Sequence, residues 1–207
     1  MRHKIEYRDY KRKDKKELVR FLSEQLYNNF FEEEKDAKRY SNFILTKSIG
    51  TCKHKRVAVV DDKVVGAIFG IRKDGNHFLS FLKQTICSMQ LKMKKKNREA
   101  LKYLLLLDVM EKELLTQNHV DNKSLIVLFM LEKRYERTDI QDTLLKEWEN
   151  MVGGQNDMSF YIIVNGRVEP RYLEGYSFQK IDEKSSMVQP KEQRFRFYKT
   201  LYRKGVY

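Results

Sequence analysis

The chain has 207 residues and a formal net charge of +13, from 42 Lys and Arg against 29 Asp and Glu. With 41% hydrophobic and 34% charged residues it suits one globular domain, residues 1–207, of ordinary core size. Two cysteines give no disulfide framework, and the longest apolar run, "YLLLLDVM", is too short to span a bilayer, so a cytoplasmic protein with no membrane partner is expected. The N-terminal stretch "MRHKIEYRDYKRKDKKE" lacks the apolar region of a secretory signal.

In chain order, "HKIEYRDY" (His3–Tyr10) alternates like a short strand. "KKELVRFLSEQLYNNF" follows as an amphipathic helix, with Leu18, Phe21, Leu22, Leu26 and Phe30 on one face. "EEEKDAKRYSNFILTKS" reads as a second helix, with Ala37, Tyr40, Phe43 and Ile44 inward. "RVAVVDDKVVGAIFGIRK" (Arg56–Lys73) is the clearest strand signal, two β-branched runs flanking the turn residues Asp61, Asp62 and Lys63, and predicts an antiparallel hairpin. Gly66 inside its second strand marks a bulge or a close backbone approach.

From Phe78 to Gln117 the pattern turns helical, in two stripes: Leu79, Leu82, Ile86, Met89 and Met93, then Ala100, Leu104, Leu107, Met110 and Leu114. This piece is a helical insertion between strands. "SLIVLFML" (Ser124–Leu131) suits a central strand buried on both faces, and "DIQDTLLKEWENMV" a helix stopped by Gly153 and Gly154. "MSFYIIV" (Met158–Val164) is a second buried strand. A short helical turn around "EPRYLEG" and a closing strand "RFRFYKTLYRK" (Arg194–Lys204) complete the order. It predicts a mixed α/β sheet with a parallel pair at its centre.

Several chemistries find no support. The four histidines, at 3, 54, 77 and 119, have no ligand spacing, so no metal site is expected. Walker, Rossmann and nucleophile-elbow fingerprints are missing. The basic clusters Lys11–Lys16 and Lys92–Arg98 lack interleaved aromatics, so they read as solvated helix ends and turns rather than a base-stacking surface, and a nucleic-acid partner is not favoured.

The element order, the "VAVVDDKVVGAIFG" hairpin, the segment "LIVLFMLEKRYERTDIQDTLL" and "FYIIVNGRVEPRY" together resemble the GCN5-related N-acetyltransferase (GNAT) family over nearly the whole chain. The resemblance implies a mixed sheet opening in a V beside Ser124–Leu131. It also implies that backbone groups of Phe129, Met130 and Leu131 hold the pantetheine arm of an acyl-coenzyme A. In the family an Arg/Gln-x-x-Gly-x-Gly/Ala turn at a helix start binds the pyrophosphate. The matching positions here are Glu136, Asp139 and Gln141, within a stretch that runs Thr138, Asp139, Ile140, Gln141, Asp142, Thr143. The acids oppose a phosphate, and Thr138 with Gln141 fits a capping box. Arg134 and Arg137, with Lys133, either reach a pyrophosphate by side chain or are ordinary solvated charges. By the same resemblance Asn165 lies near the cofactor, and Tyr172, seven residues on, acts as the acid for the leaving thiolate; a half-buried aromatic with a wet hydroxyl is the plain alternative.

The expected activity is therefore transfer of an acyl group, acetyl in the simplest case, from acetyl-coenzyme A to a small-molecule or peptide amine, by direct attack. Glu132 is the candidate base by position, and pairing into a homodimer is compatible with such a domain. The rival reading is a GNAT-fold interaction module, or a basic nucleic-acid binder, that has lost its cofactor.

Overall fold

The computed structural model describes residues 4–29, 31, 33–71, 95–120, 124–135, 139–153, 159–165, 173, 175–188 and 195–205. Strand β1 (Ile5–Asp9) leads through a 3-10 turn, Arg12–Asp14, into helices α1 (Lys15–Asn29) and α2 (Glu34–Thr51). The hairpin β2 (His54–Val60) and β3 (Lys63–Ile71) precedes helix α3 (Lys95–Gln117). Then follow β4 (Ser124–Leu131), α4 (Asp139–Gly153), β5 (Ser159–Asn165), β6 (Gln179–Val188) and β7 (Phe195–Gly205). Seven strands form one sheet in the order β1-β2-β3-β4-β5-β7-β6, with β4 and β5 parallel and the other pairs antiparallel.

The hairpin closes with Val60 opposite Lys63. Its two loop residues carry the positive φ of a primed turn, 48° at Asp61 and 64° at Asp62, the twist that lets the strands continue together. A register shift follows: Ala58 pairs Gly66 while Val59 pairs Val64, leaving Val65 as the extra residue. Gly66 thus meets both expectations, since a Cβ there would stand 2.7 Å from Leu131 Cδ2.

Strand alternation splits the core into two layers. One face presents Ala58, Val60, Ile68, Ile126 and Phe160 to α4, which buries Ile140, Leu144, Leu145, Trp148 and Val152. Each such side chain contributes a gross ~1.5–3 kcal/mol. The other face presents Val57, Val59, Ala67 and Phe69 to Leu18, Val19 and Phe21 of α1 and Leu45 of α2. There α3 packs Leu114 and Leu115 onto Leu125, Tyr161 and Leu201, and Leu107 and Met110 against Phe31, Ala37 and Tyr40. The second expected helical stripe is seen in Leu107, Met110 and Leu114. The first stripe and Phe30 lie outside the described residues, as do the side chains of Ala100 and Leu104. No helix of the described residues is long and apolar enough to cross a membrane.

Two expectations change. Strand β4 is buried on both faces only at Ser124, Leu125 and Ile126, and its last five residues are half-exposed. Strand β6 is an addition: "QKIDEKSSMV" carries no apolar alternation because it is the edge strand, paired only with β7 among the described residues. It docks on α3 through polar groups instead. Lys184 Nζ lies 2.6 Å from Glu113 Oε2, and Asn118 Nδ2 donates to Asp182 Oδ2 at 2.9 Å. Of the expected turn around "EPRYLEG", only Leu173, helical and fully buried, and Gly175 are described.

Candidate functional site

The parallel pairing of β4 with β5 covers only Ser124–Phe160, Leu125–Tyr161 and Ile126–Ile162. Beyond it both strands continue, each held by its outer neighbour. Strand β4 stays registered with β3 as far as Leu131 opposite Gly66, and β5 with β7 as far as Asn165 opposite Lys199. The result is a wedge between Val127–Leu131 and Ile163–Asn165. A bulge seeds it. The β3–β4 register shifts between Phe69 and Gly70, so Val127 has no partner on β3 at the point where pairing to β5 ends, and a bulged strand bends. Past Ile126 the β5-facing edge of β4 pairs with no strand among the described residues, and such an edge can accept an extended, amide-bearing arm as an added strand.

The wedge walls are apolar. Phe129 and Leu131 pack toward α4, Val127, Leu128 and Met130 toward α1. At the top, Glu132 N donates to Val65 O at 2.8 Å, and the chain turns through a 3-10 segment, Lys133–Tyr135, with Tyr135 N on Glu132 O at 2.8 Å. The Arg134 guanidinium folds back on Glu132, its Nε 3.0 Å from Oε1, and stacks on the Tyr135 ring at 4.8 Å. Glu132, expected as a base, is thus engaged. Arg134 is 60% exposed, and an ion pair so solvated is worth only ~0–1 kcal/mol, so an incoming anion can draw it away.

Helix α4 begins at Asp139, whose carboxylate is exposed. Ile140 and Gln141 are buried, Gln141 to 5%, so the side chain at the third motif position is part of the packing. Thr143 Oγ1 donates to Asp139 O at 2.7 Å. The Tyr176 hydroxyl lies near Asp142, and burial together with that carboxylate raises the Tyr176 phenol well above its usual value. Asp139 and Asp142 in the first turn offset the positive end of the helix dipole, which lowers its capacity for an anion. Asn165 ends β5 at the open side of the wedge. Tyr172, Arg137 and Thr138 lie outside the described residues, so the capping box does too.

The sequence reading missed a group of charges beside this end. Lys199, opposite Asn165 and only 4% exposed, binds Glu111 Oε2 at 2.6 Å. Burial, and then Glu111, raises the Asp108 carboxyl, while burial lowers the Lys47 ammonium near Asp108 and Glu111. The only trace in the sequence is Asp108 and Glu111 sitting beside Leu107 and Met110 of the apolar stripe, where a solvated face was not expected.

No family model and no curated relative matches the chain. Solved structures do. A GNAT-family acetyltransferase from Staphylococcus aureus Mu50 superposes with a TM-score of 0.53 at 16% identity, covering 99% of this chain and 100% of that one. An N-acetyltransferase from the same organism gives 0.56 at 10% identity, over 99% of both chains. The ribosomal-protein-S18-alanine N-acetyltransferase of Escherichia coli gives 0.54 at 8% identity, over 98% of this chain and 94% of that one. Near-complete coverage, the mixed seven-stranded sheet and the parted parallel pair say the same thing: this chain has the fold of the GNAT acetyltransferases.

Proposed function

We propose that the protein is an acyl-coenzyme A-dependent N-acyltransferase, transferring acetyl in the simplest case to a primary amine. The observation that carries this reading is the loss of β4–β5 pairing after Ile126–Ile162, with both strands kept extended by β3 and β7. The wedge fits the donor's pantetheine arm, whose amides would complete the β4 edge at Phe129, Met130 and Leu131. The turn fits the pyrophosphate less well, because Asp139, Ile140, Gln141, Asp142 and Thr143 offer a helix start without glycine and with two acids. Arg134, Arg137 and Thr138 would then hold the phosphates by side chain, with Asn165, at the end of β5, near the arm.

When bound, the donor supplies a thioester carbonyl open to attack. Glu132, released as Arg134 turns to the phosphates, would take a proton from the acceptor ammonium directly or through a water. The amine nitrogen forms the new C–N bond while the C–S bond breaks. Tyr172 would give its proton to the departing sulfur and regain one from the acylated nitrogen, directly or through a water, as the amide forms; a phenol, protonated at neutral pH, is suited to that. The chain's +13 charge favours neutral or acidic acceptors over polycationic ones.

Calorimetric titration with acetyl-coenzyme A, followed by a thiol-release assay over a panel of amines, tests the reading. Micromolar donor binding with amine-dependent release of thiol is expected. A protein whose heat of titration and thermal midpoint ignore the donor is instead a GNAT-fold interaction module, the outcome that Asp139 and Asp142 favour.

A further inference from the structure

The run "KRKDKK" contains one acid, Asp14, and the fold removes it from the surface. Asp14 is 3% exposed. Its carboxylate takes both guanidinium arms of Arg8, at 2.7 and 2.8 Å, and the backbone N–H of Lys11 at 2.7 Å. Lys11, Arg12, Lys13 and Lys16 are exposed around it and make no ion pair among the described residues. The turn therefore shows solvent a set of cations with their neutralising acid folded underneath.

The tertiary structure then adds a cation distant in sequence, Lys55. Tyr10 N donates to Lys55 O at 2.9 Å, which lays the start of β2 beside the end of β1. This brings Lys55 next to Lys11. Lys55 Nζ donates to two carbonyl oxygens, Ile49 O and Cys52 O, so no carboxylate cancels its charge there. Beside Lys55, between the start of β2 and helix α4, lies a cleft of about 520 Å³ whose lining includes Tyr10, His54 and Lys55 with Glu147 and Asn150 of α4. The acids of this rim, Asp9 and Glu147, are both taken by Arg56, at 3.1 and 2.7 Å.

We propose that this face, Lys11, Arg12, Lys13 and Lys16 with Lys55, docks the phosphate backbone of a nucleic acid without reading its bases. It lies at the opposite end of the sheet from the wedge, since His54 pairs Gly70 whereas the wedge top, at Leu131, pairs Gly66. It is therefore independent of the acyl-transfer reading. Charge alone would also suit an anionic membrane. A membrane-docking face, however, adds apolar side chains that insert. The exposed large apolar residues among those described are Ile5, Tyr27, Val109, Ile181 and Met187, and none borders this face. Ile5 and Tyr27 stand at the far ends of β1 and α1 from it. The rings in the cleft, Tyr10 and His54, are packed edge-on against Phe69 and Trp148, so the cations fit phosphate contacts and no base stacking.

The test is fluorescence anisotropy with labelled oligouridylate and oligocytidylate over a series of salt concentrations. Micromolar affinity at low salt is expected for both, within about threefold of each other, with log affinity falling against log salt at a slope of about −3 to −4, for roughly 0.7 per contacted phosphate. Lys11→Glu, Lys13→Glu and Lys16→Glu combined should weaken binding at least ~30-fold and flatten the slope. Lys63→Glu, Lys112→Glu and Lys146→Glu, exposed elsewhere, change the net charge equally and should cost less than about threefold. Equal losses from both sets, a wild-type slope shallower than about −1, or no binding overturns the proposal. Recruitment to phosphatidylserine vesicles that the first set abolishes overturns the nucleic-acid assignment.

Discussion

A Cβ built on Gly70 would stand 2.0 Å from Cη2 of Trp148 and 2.1 Å from its Cζ3, so the indole of α4 occupies the volume that any other residue on β3 would need. Four residues earlier, a Cβ on Gly66 would meet Leu144 Cδ1 at 3.3 Å as well as Leu131. Gly66 and Gly70 share one strand face, and Leu144 and Trp148 share one helix face, so the two spacings let α4 sit close over the β3–β4 pair. That contact fixes the helix whose N-terminus borders the wedge.

Gly70→Ala is therefore expected to destabilise the fold by at least ~3 kcal/mol, since a rigid ring cannot yield by ångströms. Gly66→Ala, whose closest neighbour is a leucine methyl that can rotate away, should cost less, about 1–2 kcal/mol. Denaturant midpoints for both variants check the ranking. Equal losses would mean that the ring moves as freely as the methyl.

Asp14 governs an acid transition. Burial opposes its charge, but the Arg8 guanidinium and the Lys11 amide outweigh burial and leave its carboxyl below the usual value. A carboxyl depressed in the folded state stabilises it above the unfolded value near ~3.9, and that stability is lost as pH falls through the lower folded value. Asp14→Asn should lose about 2–3 kcal/mol at neutral pH and show a shallower fall in stability between about pH 5 and pH 3. Urea melts across that range measure both. An unchanged pH slope would detach the pair from stability.

The hairpin loop offers a gain. Asp61 and Asp62 both hold positive φ, a conformation that costs an aspartate more than an asparagine or glycine. Asp61→Asn with Asp62→Gly should raise stability by roughly 0.5–1 kcal/mol, read as a higher thermal midpoint, with donor binding unaffected.

At the helix start the buried side chain of Gln141 makes a glycine there a packing defect, so the informative change is in charge. Asp139→Asn with Asp142→Asn keeps the side-chain size at both positions and removes two anions from the dipole's positive end. Coenzyme A affinity should rise by about three- to thirtyfold, for ~0.3–1 kcal/mol per residue. Calorimetric titration at low and high salt checks this, and a gain that persists undiminished in high salt would argue against an electrostatic origin.

Tyr172→Phe should lower kcat by about 10²-fold or more with donor affinity retained, if the phenol is the acid. A variant with full turnover would assign the proton to water. Arg134→Ala should instead weaken donor binding, by ~1.5–3 kcal/mol if one charge-assisted contact is lost.

Much of the architecture was legible in the sequence because it rests on local patterns. Alternation in "RVAVV" and "VVGAIFG" with two aspartates between them sets a hairpin, and the spacing of Ile140, Leu144, Leu145 and Trp148 sets a helix with one apolar face. The run Ser124–Leu131 declared a central strand because few other elements are apolar on both sides. Strand β6 stayed hidden because among the described residues it pairs only with β7 and its contacts to α3 are a lysine and an aspartate, which carry no period.

What only the tertiary structure decided is where partners part or meet. The wedge exists because a bulge between Phe69 and Gly70 bends β4 at Val127, an event set by the pairing of two distant strands. Arg134 closing on Glu132, and Lys199 meeting Glu111 across 88 residues, are likewise side-chain choices between segments. The run "KRKDKK" changed its meaning for the same reason: sequence counts five cations and an acid, and the fold turns the acid inward onto Arg8. Periodicity reports which face of an element is apolar, whereas the position of a charge depends on which element is packed against it.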